Sequence, residues 1–246
     1  MFGEFSIKSL FFQDPLWVKS IPLQQEPLVF DYNYDYISDL LIVSNDGVRR
    51  VLVFSEDRAK NYTVYEIDSP LNDELKSQHS NAHIDINSDG LPDLLLTTQT
   101  GLEMYERVGN SGKDNFKYHG HVPWPEQITS SACSVDKCVG QAVMTDFDLT
   151  GSLDLLIPMC NDTLCKESSM YLIPFAELWN ASSWSWTPMS MDLGDLHFLP
   201  PSPENNLMQL LAPRVGDINL DGFPDLLMPM QNKVSPYFLV FLSAVL

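Results

Sequence analysis

The stretch His-Ile-Asp-Ile-Asn-Ser-Asp-Gly-Leu-Pro-Asp-Leu-Leu-Leu, residues 83–96, decides how this chain folds. It returns as Val-Gly-Asp-Ile-Asn-Leu-Asp-Gly-Phe-Pro-Asp-Leu-Leu-Met at residues 215–228, and looser copies occupy residues 30–41 and 145–156. Each copy sets oxygen-bearing side chains at positions 1, 3, 5 and 9 of a short loop. The four sets are Asp31, Asn33, Asp35, Asp39; Asp85, Asn87, Asp89, Asp93; Asp146, Asp148, Thr150, Asp154; and Asp217, Asn219, Asp221, Asp225. A recurring unit constrains architecture before any local reading does.

The donor set suits calcium, a hard cation that takes about 6–8 oxygen ligands. Alternate residues of a curled loop can all face one ion, and position 7 can add a backbone carbonyl from Ile37, Leu91, Ser152 or Phe223. Position 6 needs a left-handed turn, which glycine makes without steric cost. Gly90, Gly151 and Gly222 supply it, whereas Tyr36 in the first loop implies strain or a different build. Thr150 leaves the third loop one carboxylate short, so loops two and four match the pattern best. An EF-hand would place a bidentate Glu at position 12 between two helices. Position 12 here is Ile42, Leu96, Ile157 or Met228. The flanks, such as Leu94-Leu95-Leu96 and Leu40-Leu41-Ile42-Val43, read as buried strands. The plainer alternative is a series of Asp/Asn/Gly turns without an ion.

At 246 residues the chain can bury a large core within one all-β domain. Its net charge is −19, and 12 of its 33 acidic residues lie in the four loops. That acidity argues against nucleic-acid binding, which needs Lys and Arg to displace counterions. No basic stretch suits an anionic membrane. Cys133 with Cys138, and Cys160 with Cys165, share one spacing, wider than usual zinc pairs. Two local disulfides fit, and with them an oxidising compartment. Sequons at Asn61, Asn161 and Asn180 point the same way, to an extracellular or lumenal location. The start lacks the apolar core of an export signal. The apolar end from Tyr237 runs for ten residues, where a membrane span needs about 20. An oxidised, glycosylated chain of this kind is expected to be a fragment of a longer protein.

Strands are expected at Leu40–Val43, Arg50–Phe54, Tyr62–Ile67, Leu94–Thr98, Leu102–Tyr105, Phe116–His121, Leu155–Ile157, Met170–Ile173, Leu226–Met228 and Tyr237–Phe241. Asn45-Asp46-Gly47 and Gln231-Asn232-Lys233 are the turns, and Trp184 and Trp186 alternate on a further strand, packed between sheets. Ala176–Trp179 could make one helical turn. The loops recur at steps of 54, 61 and 71 residues, each spanning about four strands. Four-stranded repeats of this size build a β-propeller. The expected repeats are 28–82, 83–143, 144–214 and 215–246, with 1–27 left over from a preceding blade. About four blades would form an incomplete ring.

The Asp-x-Asn-x-Asp-Gly-x-x-Asp loops between strands resemble the FG-GAP repeats of integrin-α type. Val139-Gly140-Gln141-Ala142, Thr145-Asp146-Phe147-Asp148, Cys160 to Cys165, Met170-Tyr171-Leu172 and Val215 to Asp225 resemble the T-cell immunomodulatory protein family. That resemblance covers most of residues 28–242. It implies a glycosylated type I membrane protein with an extracellular propeller of integrin-α type, and roles in adhesion and immune modulation. Signal and membrane helix would belong to the full-length protein, and the Cys133–Cys138 pair looks like a local insertion.

A catalytic reading finds no nucleophile with a base, no paired carboxylates free of the loops, and no phosphate loop. His119 and His121 share one side of a strand without an acidic or cysteine partner nearby in sequence. The expectation is a non-enzymatic interaction module with a protein partner at a cell surface. The alternative is a calcium-supported lectin that stacks sugars on Trp124, Trp184 or Trp186.

Overall fold

Leu94, Leu95 and Leu96 are all fully buried. Successive side chains of a strand point to opposite faces. Three buried leucines in a row therefore require a cover on both sides. The computed structural model describes residues 26–241, except 45, 56–61, 72, 77–79, 110–113, 130–132, 181–185, 187, 190–194, 200–210 and 233–235; of Gln127 and residues 236–241 only the backbone is described.

Four antiparallel sheets follow one another along the chain. The first runs β1 (Leu28–Phe30), β2 (Asp39–Val43), β3 (Arg49–Phe54) and β4 (Tyr62–Ile67). The second runs β5 (Ala82–Ile84), β6 (Asp93–Thr97), β7 (Gly101–Arg107) and β8 (Phe116–Pro123). Two short helices, α1 (Glu126–Thr129) and α2 (Val135–Cys138), lead to the third sheet of β9 (Val143–Thr145), β10 (Asp154–Cys160) and β11 (Ser168–Pro174). After α3 (Phe175–Trp179), β12 (His197–Phe198), β13 (Arg214–Gly216), β14 (Asp225–Gln231) and β15 (Pro236–Phe241) form the fourth. Each acidic loop joins two neighbouring antiparallel strands: β1 to β2, β5 to β6, β9 to β10 and β13 to β14. The fold is the expected all-β propeller type.

The cores lie between sheets. Leu94, Leu96 and Tyr105 face Phe30, Leu41, Val43 and Val51 of the first sheet. Leu95, Leu102 and Met104 face Leu155, Ile157 and Met159 of the third. Leu156, Cys160 and Met170 face Leu226, Met228 and Met230 of the fourth. Each inner sheet is thus sandwiched, and among the described residues no core cluster joins the fourth sheet to the first. Among the described residues the sheets form an open series of blades, in keeping with an incomplete ring.

Three details depart from expectation. Trp186 is outside any strand, and Trp184 is outside the described residues. Trp186 instead donates from its indole to the Pro123 carbonyl (2.8 Å) and packs edge-on against Tyr171. His197 and Phe198 pair with Gln231 and Met230, so the fourth sheet draws a strand from before residue 215. Helices α1 and α2 were not foreseen, because four-residue helices carry too little periodicity to register.

One ion pair crosses the first interface. Arg49 Nη2 lies 2.8 Å from Glu103 Oε1, and both side chains are fully buried. Arg49 also donates to the Gly47 carbonyl, and the Tyr105 hydroxyl donates to Glu103 Oε2 at 2.6 Å. Burial pushes the Glu103 carboxyl above its ordinary range, with Arg49 and Tyr105 working against that. Removing one partner of such a pair leaves a buried charge uncompensated and costs about 3–5 kcal/mol. Glu103→Gln is expected to lower unfolding stability in denaturant titrations by that amount. Arg49→Met with Glu103→Leu should recover most of it.

Lys76 is fully buried beside the end of β6, its amide donating to the Thr97 carbonyl at 2.9 Å. Burial pushes its ammonium down to about 8, against a weaker pull from Asp136. The folded value lies below the ordinary 10.5, so the folded state disfavours the charged form. Stability should therefore fall as pH drops from about 10.5 through about 8, by roughly 3 kcal/mol over that interval. The difference in melting temperature between wild type and Lys76→Met across this range measures it. The variant should gain most below pH 8.

Candidate metal centre

Each loop is folded by its own side chains. In the second, Asp85 Oδ1 accepts from the Asp89 amide (3.2 Å) and Oδ2 from the Gly90 amide (2.9 Å). Asn87 Oδ1 accepts from the Asp89 amide (3.0 Å), and Asp89 Oδ1 from the Leu91 amide (2.8 Å). These are the local bonds by which Asp and Asn compete with regular structure. The bond from position 6 to position 1 recurs at Tyr36 to Asp31, Gly151 to Asp146 and Gly222 to Asp217, at 2.9 Å each time.

Two residues per loop take left-handed backbone. They are Tyr34 and Tyr36 (φ 60° and 65°), Ser88 and Gly90 (62° and 86°), Leu149 and Gly151 (55° and 86°), and Leu220 and Gly222 (62° and 89°). Position 6 was expected, and position 4 escaped notice because no glycine marks it. The first loop is not built differently. Tyr36 takes the same turn with its side chain 96% exposed, so no packing offsets the strain.

Position 9 is the deepest group. Asp39, Asp93, Asp154 and Asp225 are at most 1% exposed. Asp39 accepts from the amides of Tyr32 and Phe54, both at 2.8 Å. Asp93 accepts from Ile86 (3.1 Å) and Arg107 (2.9 Å), Asp154 from Phe147 (2.9 Å), and Asp225 from Ile218 (2.7 Å). One carboxylate thus ties the loop to its strand and, in the first two sheets, to the next strand as well. Burial pushes Asp39, Asp93 and Asp154 above the ordinary carboxylate range, with these amides working the other way. A bound cation would oppose the same penalty.

The loops differ at position 3. Asn33, Asn87 and Asn219 each donate Nδ2 to the position-5 carboxylate of Asp35, Asp89 or Asp221, at 2.9, 3.0 and 2.8 Å. Asp148 has no such proton to give. In the third loop Asp146, Asp148 and Asp154 each offer one oxygen, and these lie within 4.8 Å of one another. Asp146 Oδ1 is buried and has no hydrogen-bond partner. The third loop therefore leaves three like charges facing each other. Its hard-oxygen set and unspent buried atom fit calcium, although its sequence matches the pattern less well than loops two and four.

Other sequence candidates separate. His119 stacks on Trp179 with ring centroids 3.6 Å apart, and its Nε2 meets the Trp179 carbonyl. His121 Nε2 lies 3.1 Å from Thr100 Oγ1, so the two histidines serve different contacts. Both disulfides, Cys133–Cys138 and Cys160–Cys165, are formed and buried. Cys138 Sγ lies 3.6 Å from the Asp162 carbonyl, so the first disulfide loop packs on the tip tied by the second. Asn180 is exposed, Asn161 is half-buried at that tip, and Asn61 lies outside the described residues. Trp124 is 3% exposed and its indole donates to the Thr98 carbonyl.

No family model matches the chain. Over 219 residues it is 27% identical to a mouse T-cell immunomodulatory protein, covering 84% of this chain and 32% of that protein. The human T-cell immunomodulatory protein is 26% identical over 222 residues, 85% of this chain and 32% of its own. The chain is a homologue of the T-cell immunomodulatory proteins. Protein linkin of Caenorhabditis elegans is 26% identical over 153 residues, 60% of this chain and 22% of linkin. The chain spans about a third of the length of the T-cell immunomodulatory proteins it matches.

The glycine turns can be tested apart from any ion. Nothing lies within 4 Å of a Cβ built on Gly90 or Gly222, so Ala there meets backbone strain alone. Gly90→Ala and Gly222→Ala should each lower stability by about 1–2 kcal/mol. Tyr36→Gly should move the other way, by up to about 1 kcal/mol. Chemical denaturation of the three variants gives the signs.

Proposed function

We propose that this chain is a calcium-stabilised, non-enzymatic interaction module that works on the extracellular side of a membrane or after secretion, with a protein as its partner. The observation that carries the calcium reading is the third loop, where three carboxylate oxygens converge within 4.8 Å and Asp146 Oδ1 has no other partner. Asp85, Asn87, Asp89 and Asp93, with the Leu91 carbonyl, would hold an ion in the second loop. Asp217, Asn219, Asp221 and Asp225, with Phe223, would do so in the fourth. Asp31, Asn33, Asp35 and Asp39 form the corresponding set in the first. Bound calcium would supply charge neutralisation and would lock the bends between strands; the residues themselves already set the loop path.

The similarity to proteins named T-cell immunomodulatory protein supports a cell-surface, immune-related role. Adhesion and attachment as a type I membrane protein are extensions of the same reading. No described helix is long and apolar enough to cross a membrane. Disulfides and exposed Asn180 suit an oxidising, glycosylating route. The lectin alternative is weaker, because Trp124 and Trp186 are committed to the core between the second and third sheets.

Ligands that bind only the folded state stabilise it by about 2.7 kcal/mol per site at a hundredfold excess over Kd. Millimolar calcium should therefore raise the melting temperature by about 5–10 °C per filled site. Asp146→Asn with Asp148→Asn should remove the third loop's share, and Asp89→Ala with Asp221→Ala that of the second and fourth. Melting curves that superimpose in calcium and in chelator would overturn the reading.

A further inference from the structure

Arg107 ends β7 in the second sheet, yet its guanidinium enters the first acidic loop. Nη2 donates to the Tyr32 carbonyl at 2.6 Å, and Nε to the Gly109 carbonyl at 2.8 Å. Asn115 donates to the same Tyr32 carbonyl at 3.1 Å. The guanidinium carbon lies 4.2 Å from the Tyr34 ring centroid and 5.0 Å from that of Phe116. Arg107 is 2% exposed, and Nη1 has no hydrogen-bond partner. Among the described residues no carboxylate comes within ion-pairing distance of it, unlike Arg49 with Glu103.

A buried cation needs a counter-charge. Burial pushes the Arg107 guanidinium down, opposed by Tyr34, Tyr32 and then the carboxylate of Asp31, position 1 of the first loop. Among the described residues no lysine or arginine side chain donates a hydrogen bond to loop two or loop three. The first loop therefore already faces a fixed positive charge, held by ring faces and a carbonyl that a hydrated ion does not displace.

Resting on the calcium reading above, we propose that Arg107 acts as a resident cation at the first loop, so that this loop binds calcium more weakly than the other three. Arg107 and a bound calcium would both draw on Asp31. Filling the loop would strip Arg107 of its counter-charge, and the like charges would repel. Arg107 is a positioning residue here: it touches the loop's backbone and aromatic ring, and no ligand oxygen.

The first loop alone contains tyrosines, Tyr32, Tyr34 and Tyr36. Terbium, a hard cation that substitutes for calcium, luminesces when excited through a neighbouring tyrosine, so it reports this loop. Titration of the full chain with terbium gives the first-loop affinity, and calorimetric titration with calcium gives the other sites. The first-loop signal should saturate at about tenfold higher concentration than the other sites, and Asp31→Asn should abolish it. Arg107→Gln should tighten the first loop about tenfold, whereas Arg107→Lys, which keeps the charge, should stay within about twofold. Unchanged or weaker terbium binding in Arg107→Gln would overturn the proposal. So would a wild-type first loop as tight as the rest, a result that does not need the variant to fold. Calcium uptake by the other loops alongside either result sinks this inference alone. No calorimetric binding at any loop sinks the calcium reading and this one together.

Discussion

A carboxylate with no access to water must find donors within the chain. Asp39, Asp93, Asp154 and Asp225 sit at the first residue of a central strand and are almost wholly enclosed. Each takes the amide of position 2 of its loop. The bend between two strands is thereby bound to the strand it enters. Because the anchor sits at the loop's ninth position, the preceding eight residues have little choice of path. That explains why four loops of different composition share the same pair of left-handed residues. Even Tyr36 follows, since the tie at Asp39 leaves it no other route.

The same constraint sets which faces are apolar. Once the ninth residue is fixed at the edge of a strand, the side chains that follow alternate from a known origin. Leu94 and Leu96 must then face one neighbour and Leu95 the other. Burial on both faces allows the continuous leucine and isoleucine runs that would be an aggregation hazard in a strand with one wet side. Sheet follows sheet because each apolar face needs the next. The buried Arg49–Glu103 pair adds a directional contact to an interface otherwise made of alternating hydrophobes.

Strand positions and the stacking of sheets were legible because both rest on periodicities that repeat along the chain. Local chemistry was legible where a residue type announces it, as with Gly90 or the cysteine pairs. It was not where the signal is conformational or comes from another sheet. Leu149 and Leu220 give no hint of left-handed backbone, since their neighbours impose it. His197 and Phe198 sit too far from β14 in sequence for two residues to declare their pairing. Arg107 reads as an ordinary strand residue until the second sheet is set against the first, which brings it to Tyr32, 75 positions away.

Charge balance links these observations. A chain of net charge −19 places three carboxylates in each of four bends, and the bends do not all meet that repulsion in the same way. Three use an asparagine amide to hold the position-5 aspartate, and the first of these has an arginine from the adjoining sheet as well. The third has a second aspartate where the amide would stand, so its repulsion is met least from within the protein. Thr150, which takes one carboxylate away from that loop, reads in this light as a partial remedy: it lowers the charge at position 5 because position 3 has raised it. Three carboxylates per bend are kept in every copy, while their distribution shifts. Sequence likeness to an acidic motif and uncompensated negative charge are therefore separate properties, and the loop that departs from the motif at positions 3 and 5 is the one whose buried Asp146 oxygen is left without a partner.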